Sequence, residues 1–341
     1  TYTHLSSLSF SLSRSLARST HTQTHTHTHT HTHSLDCPVA RPRGHVHAQN
    51  RNREAAHRGT GQADQEDAKH HSLAAQGDGW YQRQPREQPA GAWTDDTAMA
   101  LCLAQSLIEK KTLDNEDLLN RFCDWAENDS NTSTGIAVGI GQNTLRVLGD
   151  FRRNGYLEAL PFGAKNDGNG SLMRLAPVAC FAKDNIEEAL VLARLQSKAT
   201  HASRHAEQCC QILTELLCQL ISGKPLPSAL EQTRKRQMNN EISEMMRRNI
   251  VEESEDDIQS GGYAIDTLHA ALWSTLTTDS FERAVLRACN LGDDADTTAA
   301  VAGQIAGAMY GYFNIPQDLK VGLMDERKLY VTSQFFSHKA G

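Results

Sequence analysis

From Trp93 onward, apolar residues recur at three- and four-residue intervals. After Thr94-Asp95-Asp96-Thr97, the positions Met99, Leu103, Ser106/Leu107 and Lys110 follow helical spacing, which predicts an N-capped helix. Similar patterns recur around 115–127, 136–149, 186–197, 202–221, 227–233, 240–251, 263–275, 281–289, 297–311 and 317–323, separated by Gly, Pro, Asn and Asp. Period-two alternation of the kind a half-buried strand needs is missing. The expectation is a single all-α body of about ten helices. No apolar run approaches the roughly 18 residues of a membrane-spanning helix.

Composition splits the chain in two. Residues 1–90 hold 12 of the 16 His but only 7 of the 41 Asp+Glu, giving a net charge of +3, while the rest carries a net of −10. Within that first part Thr24 to His33 reads THTHTHTHTH and Leu8 to Leu12 alternates Ser with apolar residues. An AC dinucleotide repeat translates as Thr-His and a CT repeat as Ser-Leu. Residues 1–90 are therefore expected to be a low-complexity segment, disordered or a gene-model artefact, with the folded domain over 91–341. Alternating His sets up no rigid coordination shell, so the tract is not read as a metal site. The acidic charge of the remainder argues against a nucleic-acid or membrane-surface role. The eight Cys show no C-x-x-C pair and sit mostly in apolar helical runs, which suits a reducing compartment.

The chemistry concentrates in two acidic knots about 200 residues apart: Thr94-Asp95-Asp96-Thr97 and Gly292-Asp293-Asp294-Ala295-Asp296-Thr297-Thr298. Asp and Thr at helix starts cap free N–H groups and favour the positive end of the dipole, so capping accounts for either knot alone. Together they place more carboxylates than caps require. Should the two helix starts meet, the carboxylates repel strongly unless a cation lies between them. All-oxygen ligands suit Mg²⁺, Mn²⁺ or Ca²⁺, whereas zinc recruits His or Cys. The small-residue face Ala299, Gly303, Gly307 with Ala302 and Ala306 permits close packing of the second helix. Asp294-x-Asp296-x-Thr298 also matches the nucleophile motif of haloacid-dehalogenase-type phosphatases, but a helical pattern precedes it where that motif needs a buried strand.

Three features lie between the knots. Asn169-Gly170-Ser171-Leu172-Met173-Arg174 is a Gly/Asn-rich loop running into a helix, a geometry that can offer backbone N–H groups to phosphate. His201 stands at a helix start, as a cap, a packed ring or a ligand contact. Tyr263 follows Gly261-Gly262, either as core or as a stacking ring.

In combination these blocks resemble the ADP-ribosylglycohydrolase family. The matching pieces are Gly91-Ala-Trp-Thr-Asp-Asp-Thr-Ala-Met-Ala-Leu, Gly139-Ile-Gly-Gln-Asn-Thr144, Gly168-Asn-Gly-Ser-Leu-Met-Arg-Leu-Ala-Pro177, Ala199-Thr-His201, Gly261-Gly-Tyr-Ala-Ile-Asp-Thr-Leu and Gly292-Asp-Asp-Ala-Asp-Thr-Thr-Ala-Ala-Val-Ala-Gly. The resemblance implies an all-α hydrolase with two Mg²⁺ (or Mn²⁺) ions that cleaves ADP-ribose from a protein side chain or a small conjugate. It puts metal binding on Thr94, Asp95, Asp96, Asp294, Asp296 and Thr297, with catalysis on Asp95 and Asp96. Substrate binding falls on Asn169, Gly170, Ser171, Met173, Arg174, His201 and Tyr263, with the 169–174 loop cradling the pyrophosphate and Tyr263 at the adenosine end. The family also opens on a block like G-D-A-L-G-x-x-x-E that supplies a catalytic Glu, and nothing matching it stands in residues 1–90. The alternative to an active hydrolase is therefore a non-catalytic ADP-ribose binder or structural relative. Further expectations are a monomer in the cytoplasm, organellar targeting left open, with an ADP-ribosylated protein or conjugate as its partner and neither nucleic acid nor membrane.

Overall fold

The computed structural model describes residues 88–162 and 167–325, so the expectations for residues 1–87 lie outside the described residues. Among the described residues twelve α-helices follow one another: α1 (Asp95–Lys110), α2 (Asn115–Asn128), α3 (Gln142–Asn154), α4 (Ala176–Ala182), α5 (Ile186–Lys198), α6 (Arg204–Ile221), α7 (Leu226–Thr233), α8 (Asn240–Arg247), α9 (Ala264–Leu276), α10 (Phe281–Asn290), α11 (Ala295–Tyr310) and α12 (Gln317–Val321). These residues hold no strand; Gly168 and Tyr263 form an isolated antiparallel bridge. None of the described helices is long and apolar enough to cross a membrane.

Helix α6 is the hub, packing against α4, α5, α7, α9 and α11, while α11 lies against α10 and α9 as well. Along α11 the small-residue face is buried, so its expected use in close packing holds, with α6, α9 and α10 as the neighbours. Helix α1 packs on α2 and α4, and α4 carries that layer across to α5 and α6. A single core runs through all of these, from Leu101 and Leu103 on α1 to Leu213 and Leu217 on α6 and Val301 and Ile305 on α11. All seven described cysteines are buried, behaving as small hydrophobes; Cys37 lies outside the described residues.

Three helix boundaries depart from the spacing-based expectation. The helix expected over 136–149 begins only at Gln142, because Gly139 takes a left-handed φ of +89° and the segment before Gly141 is not helical. The expected 240–251 helix stops at Arg247, where Arg248 turns extended, and a short 3₁₀ turn, Ile250–Glu252, takes over. Helix α4 escapes the periodicity because all seven of its residues are buried, leaving no polar face, and Pro177 sits in its first turn where no N–H is needed.

Phe122 of α2 is fully buried beneath the Arg174 guanidinium, 4.7 Å from its ring centre. Phe122→Ala is expected to cost about 3–5 kcal/mol in urea unfolding. A cost of under about 1 kcal/mol would mean that the α1–α2 layer does not depend on this packing.

Candidate active site

Seven of the described helices follow a residue whose side chain can cap, and these begin in two distinct ways. Asp114, Asn185, Ser203, Asn239 and Ser280 each accept a hydrogen bond from a backbone N–H of the helix they precede. Thr94 and Asp294, which precede α1 and α11, are equally suited to capping and make no such bond. The Thr94 hydroxyl donates instead to Asp96 Oδ2 at 2.8 Å, and the Asp294 carboxylate accepts from Asn169 Nδ2 at 2.7 Å. At both acidic knots the polar side chains are withheld from the helix ends and turned towards each other.

The two knots lie within one electrostatic neighbourhood. Burial first, then the charges of Asp96, Asp296 and Asp294, hold the Asp95 carboxyl well above the ordinary carboxylate range. Asp96 is 3 % exposed, and burial together with Asp296 raises it to about 7 against the Thr94 hydrogen bond that lowers it. Asp294 is raised by burial and opposed by its bonds from Asn169 and Thr297. Buried like charges of this kind are costly without a counter-charge. Among the described residues no three His, Cys, Asp or Glu side chains are already drawn into a metal-gripping group. Even so, the donor set suits a hard divalent cation: every donor is oxygen, and Asp96 Oδ1 is buried with no hydrogen-bond partner.

The loop between Gly168 and Arg174 is fastened to this centre. Asn169 Nδ2 reaches Thr267 Oγ1 at 2.9 Å as well as Asp294, the Asn169 N–H donates to Gly262 O, and Gln304 Nε2 of α11 donates to Met173 O at 2.6 Å. The Asp294 N–H donates in turn to Ser260 O. The side chains of this loop differ from the expected phosphate cradle. Ser171 is fully buried against Ser197 and Cys210, and Met173 is buried with its sulfur 3.9 Å from Thr297 Oγ1. The N–H groups of Asn169, Leu172 and Met173 are engaged within the protein. Asn169, Ser171 and Met173 thus brace the site from behind.

Arg174 is the clearest correction. It is 0 % exposed, with Nε donating to Gln196 Oε1 at 2.9 Å and one terminal nitrogen donating to Gln196 O and Thr200 Oγ1, both at 2.8 Å. A guanidinium sealed in this way cannot reach a pyrophosphate. Its Gly/Asn-rich context resembles a phosphate loop, but the following buried α4 and the α5–α6 corner close over it. What it reaches is His201. Thr200 Oγ1 accepts from Arg174 and lies 2.8 Å from His201 Nδ1, to which its own proton can be donated. With that donation the neutral imidazole carries its proton on Nε2. Burial, then the Arg174 charge, push the His201 pKa down to about 3, keeping it uncharged.

His201 Nε2 lies against the glycine loop, where a Cβ on Gly170 would come within 3.3 Å and one on Gly168 within 3.5 Å. Tyr263, partly exposed, donates to Glu241 Oε1 at 3.1 Å and meets His205 edge-on at 6.1 Å between ring centres. His205 itself lies 3.3 Å from both Asp167 and Glu241. His205, Asp167 and Glu241 border Tyr263 and stand in none of the matching blocks, whereas Thr267, inside the block 261–268, is fully buried behind Asn169. The structure therefore brings together Thr94, Asp95, Asp96, Asp294, Asp296 and Thr297, with Gly170, His201 and Tyr263 around them.

In chelator-treated protein Asp96→Asn is expected to be more stable than the parent above about pH 7, by an amount on the order of a few kcal/mol. The raised pKa means that the folded state binds more protons than the unfolded state, so the advantage shrinks as pH falls from 7 towards 3.8. Urea unfolding at pH 8 and pH 4 checks it. Arg174→Ala is expected to lose about 3–5 kcal/mol of stability through its orphaned partners, and a loss of ligand affinity in a protein of unchanged stability would contradict the bracing role.

The model of the family described as ADP-ribosylglycohydrolase matches residues 42–339. An ADP-ribosylarginine hydrolase Tri1 of Serratia proteamaculans is 36% identical over 254 residues, covering 72% of this chain and 66% of that protein. Its counterpart in Pseudomonas putida is 36% identical over 69% of this chain and 63% of its own length, so the chain spans just under two thirds of these relatives. The ADP-ribosyl-[dinitrogen reductase] glycohydrolase of Rhodospirillum rubrum is 30% identical over 70% of this chain and 74% of that protein. Among solved structures, one described as an ADP-ribosylglycohydrolase-related protein complex superposes with a TM-score of 0.66 at 33% identity, covering 75% of this chain and 85% of the other. With a family model over most of its length, relatives of this similarity and a matching all-α architecture, the chain belongs to the ADP-ribosylglycohydrolase family.

Proposed function

We propose that this protein is a divalent-cation-dependent hydrolase that releases ADP-ribose from a modified protein side chain, with arginine-linked ADP-ribose as the first substrate to consider. The observation that carries the reading is the pair of uncapped helix starts: Thr94 and Asp294 forgo the bond that the five other capping-type residues make, and four aspartates gather there instead. Family membership and the names of its relatives supply the substrate class.

In this reading Asp95, Asp96, Asp294 and Asp296, with the hydroxyls of Thr94 and Thr297, hold two Mg²⁺ or Mn²⁺ ions. Bound there, the cations supply Lewis acidity and positive charge at the ribose beside the scissile bond. The chain's own groups do the rest. Asp95, less buried than Asp96, takes the proton of the attacking water as the bond from the ribose to the arginine nitrogen breaks, and returns it to the departing nitrogen. Asn169 keeps Asp294 from rotating away, and the N-terminal dipoles of α1 and α11 favour the negative charge assembled between them. His201 presents Nε2–H as a neutral donor to an anionic oxygen of the ligand, and its low pKa excludes it as a proton carrier near neutral pH. Gly170 leaves room for ligand atoms over that imidazole, and the Tyr263 ring offers an apolar face to a flat base.

The test is release of free ADP-ribose from ADP-ribosyl-arginine with Mg²⁺, after chelation and after Mg²⁺ is restored. Release that stops with chelator and returns with Mg²⁺ is expected, as is a loss of roughly 100-fold or more in Asp296→Ala, because even outer partners of a metal site are worth about 10–100-fold. Release that persists in chelator, or full activity in Asp296→Ala, would defeat the proposal. Binding of ADP-ribose with no release would identify a non-hydrolytic member.

A further inference from the structure

Asp95 is repelled by three other carboxylates, and its ordinary response would be to rotate towards solvent. Asp96 is held by the Thr94 hydroxyl and Asp294 by the Asn169 amide. Asp95 rests on backbone. A Cβ built on Gly139 would lie 2.0 Å from Asp95 Oδ1, 2.8 Å from its Cγ and 3.4 Å from its backbone nitrogen. Gly139 is also left-handed, with φ +89°. A side chain at Gly139 would be strained by this backbone conformation and, independently, would displace the Asp95 carboxylate from where it lies.

The peptide around Gly139 is not a loose loop that happens to pass by. Asp129 Oδ1 accepts from the Ala137 N–H at 2.7 Å, closing the segment two residues before Gly139. Ser133 Oγ accepts from the Trp93 N–H at 2.9 Å and donates to Trp93 O at 3.2 Å, grasping the residue that leads into Thr94-Asp95. The Trp93 indole N–H donates to Asn131 O at 2.9 Å, and the Asn131 and Gln105 carboxamides exchange hydrogen bonds of 3.0 and 3.1 Å. Gln105 belongs to α1, the helix that Asp95 opens. The approach to Asp95, the helix behind it and the wall beside it are therefore one hydrogen-bonded body.

We infer that Gly139, delivered by the 129–139 segment, is a positioning residue that sets the direction of the Asp95 carboxylate and so the affinity of the acidic cluster for a divalent cation. This rests on the reading of Asp95 as a cation ligand. The physical content is steric: a wall with no Cβ lets the carboxylate lie flat against it, and any larger wall turns the carboxylate aside.

A stability cycle of the parent, Gly139→Ala, Asp95→Ala and the double variant, in chelator, isolates that contact. The cost of a left-handed alanine is common to both backgrounds, whereas the collision with the carboxylate exists only where Asp95 is present. Gly139→Ala is therefore expected to lower the melting temperature at least twice as much in the parent as in the Asp95→Ala background, or to fold only in the double variant. An equal loss in both backgrounds, including failure of both to fold, would overturn the inference. Ser133→Ala, which loosens the segment and leaves Gly139 in place, is expected to stay folded and to raise the Mg²⁺ concentration for half-maximal thermal stabilisation roughly tenfold, as outer partners of metal sites do. An unchanged midpoint in folded Ser133→Ala would also overturn it. If Asp95→Ala keeps the parent's full response to Mg²⁺, the ligand reading fails, while the stability cycle still judges the Gly139 contact.

Discussion

Mutual repulsion among four aspartates at two helix starts is the constraint around which this molecule is arranged. Asp95, Asp96 and Asp294 are pushed towards their neutral forms by burial and by neighbouring carboxylates, and no lysine or arginine of the described residues is among the main charges acting on them. A protein that wanted only stable helices would use Thr94 and Asp294 as caps, each contributing about 1 kcal/mol, as it does elsewhere with Ser203 and Asn239. Here that gain is forgone. The helices are held instead by burial along their length, with most of α1 and α11 inside the core.

The supports of the site are neutral or sealed. Asn169 bridges Asp294 and Thr267, Gln304 binds the loop carbonyls, and Arg174 sits under the α5–α6 corner over Phe122. Through Thr200 Oγ1, to which it donates, Arg174 reaches His201 Nδ1, where burial and the Arg174 charge keep the imidazole neutral. Loss of this residue and loss of a ligand contact look alike in an activity assay and differ in a stability measurement.

Much of the fold is legible from spacing alone, because most helices have one buried and one polar face: α2, with Leu118, Leu119, Phe122 and Trp125 inside, is an example. Helix α4 leaves no periodicity, since every residue is buried, and only the Gly/Asn-rich loop running into it announces a helix. The start of α3 is misplaced because Ile136 and Ile140 stand four residues apart, as on one helix face, across a glycine that faces an aspartate. At the site, the acidic knots declare themselves by holding more carboxylates than caps require. Arg174 and Ser171 mislead, since their neighbours in sequence suggest a phosphate loop while their partners, Gln196, Thr200 and Ser197, come from a helix more than twenty residues away. Such burial is a property of packing that no local pattern records. His205 and Glu241 are missed because each is ordinary in its own helix and gains meaning only where α6, α8 and α9 converge.

The Asn169 side chain belongs at once to the loop that would meet a ligand and to the second acidic cluster, through its bonds to Thr267 and Asp294. A movement of that loop is therefore also a movement of a carboxylate. In the proposed reading, free energy that a ligand contributes by ordering the loop would be shared with the acidic cluster, and the sharing would be reciprocal for a cation that fixes Asp294. The two halves of the site would then fill cooperatively, coupled through one amide group.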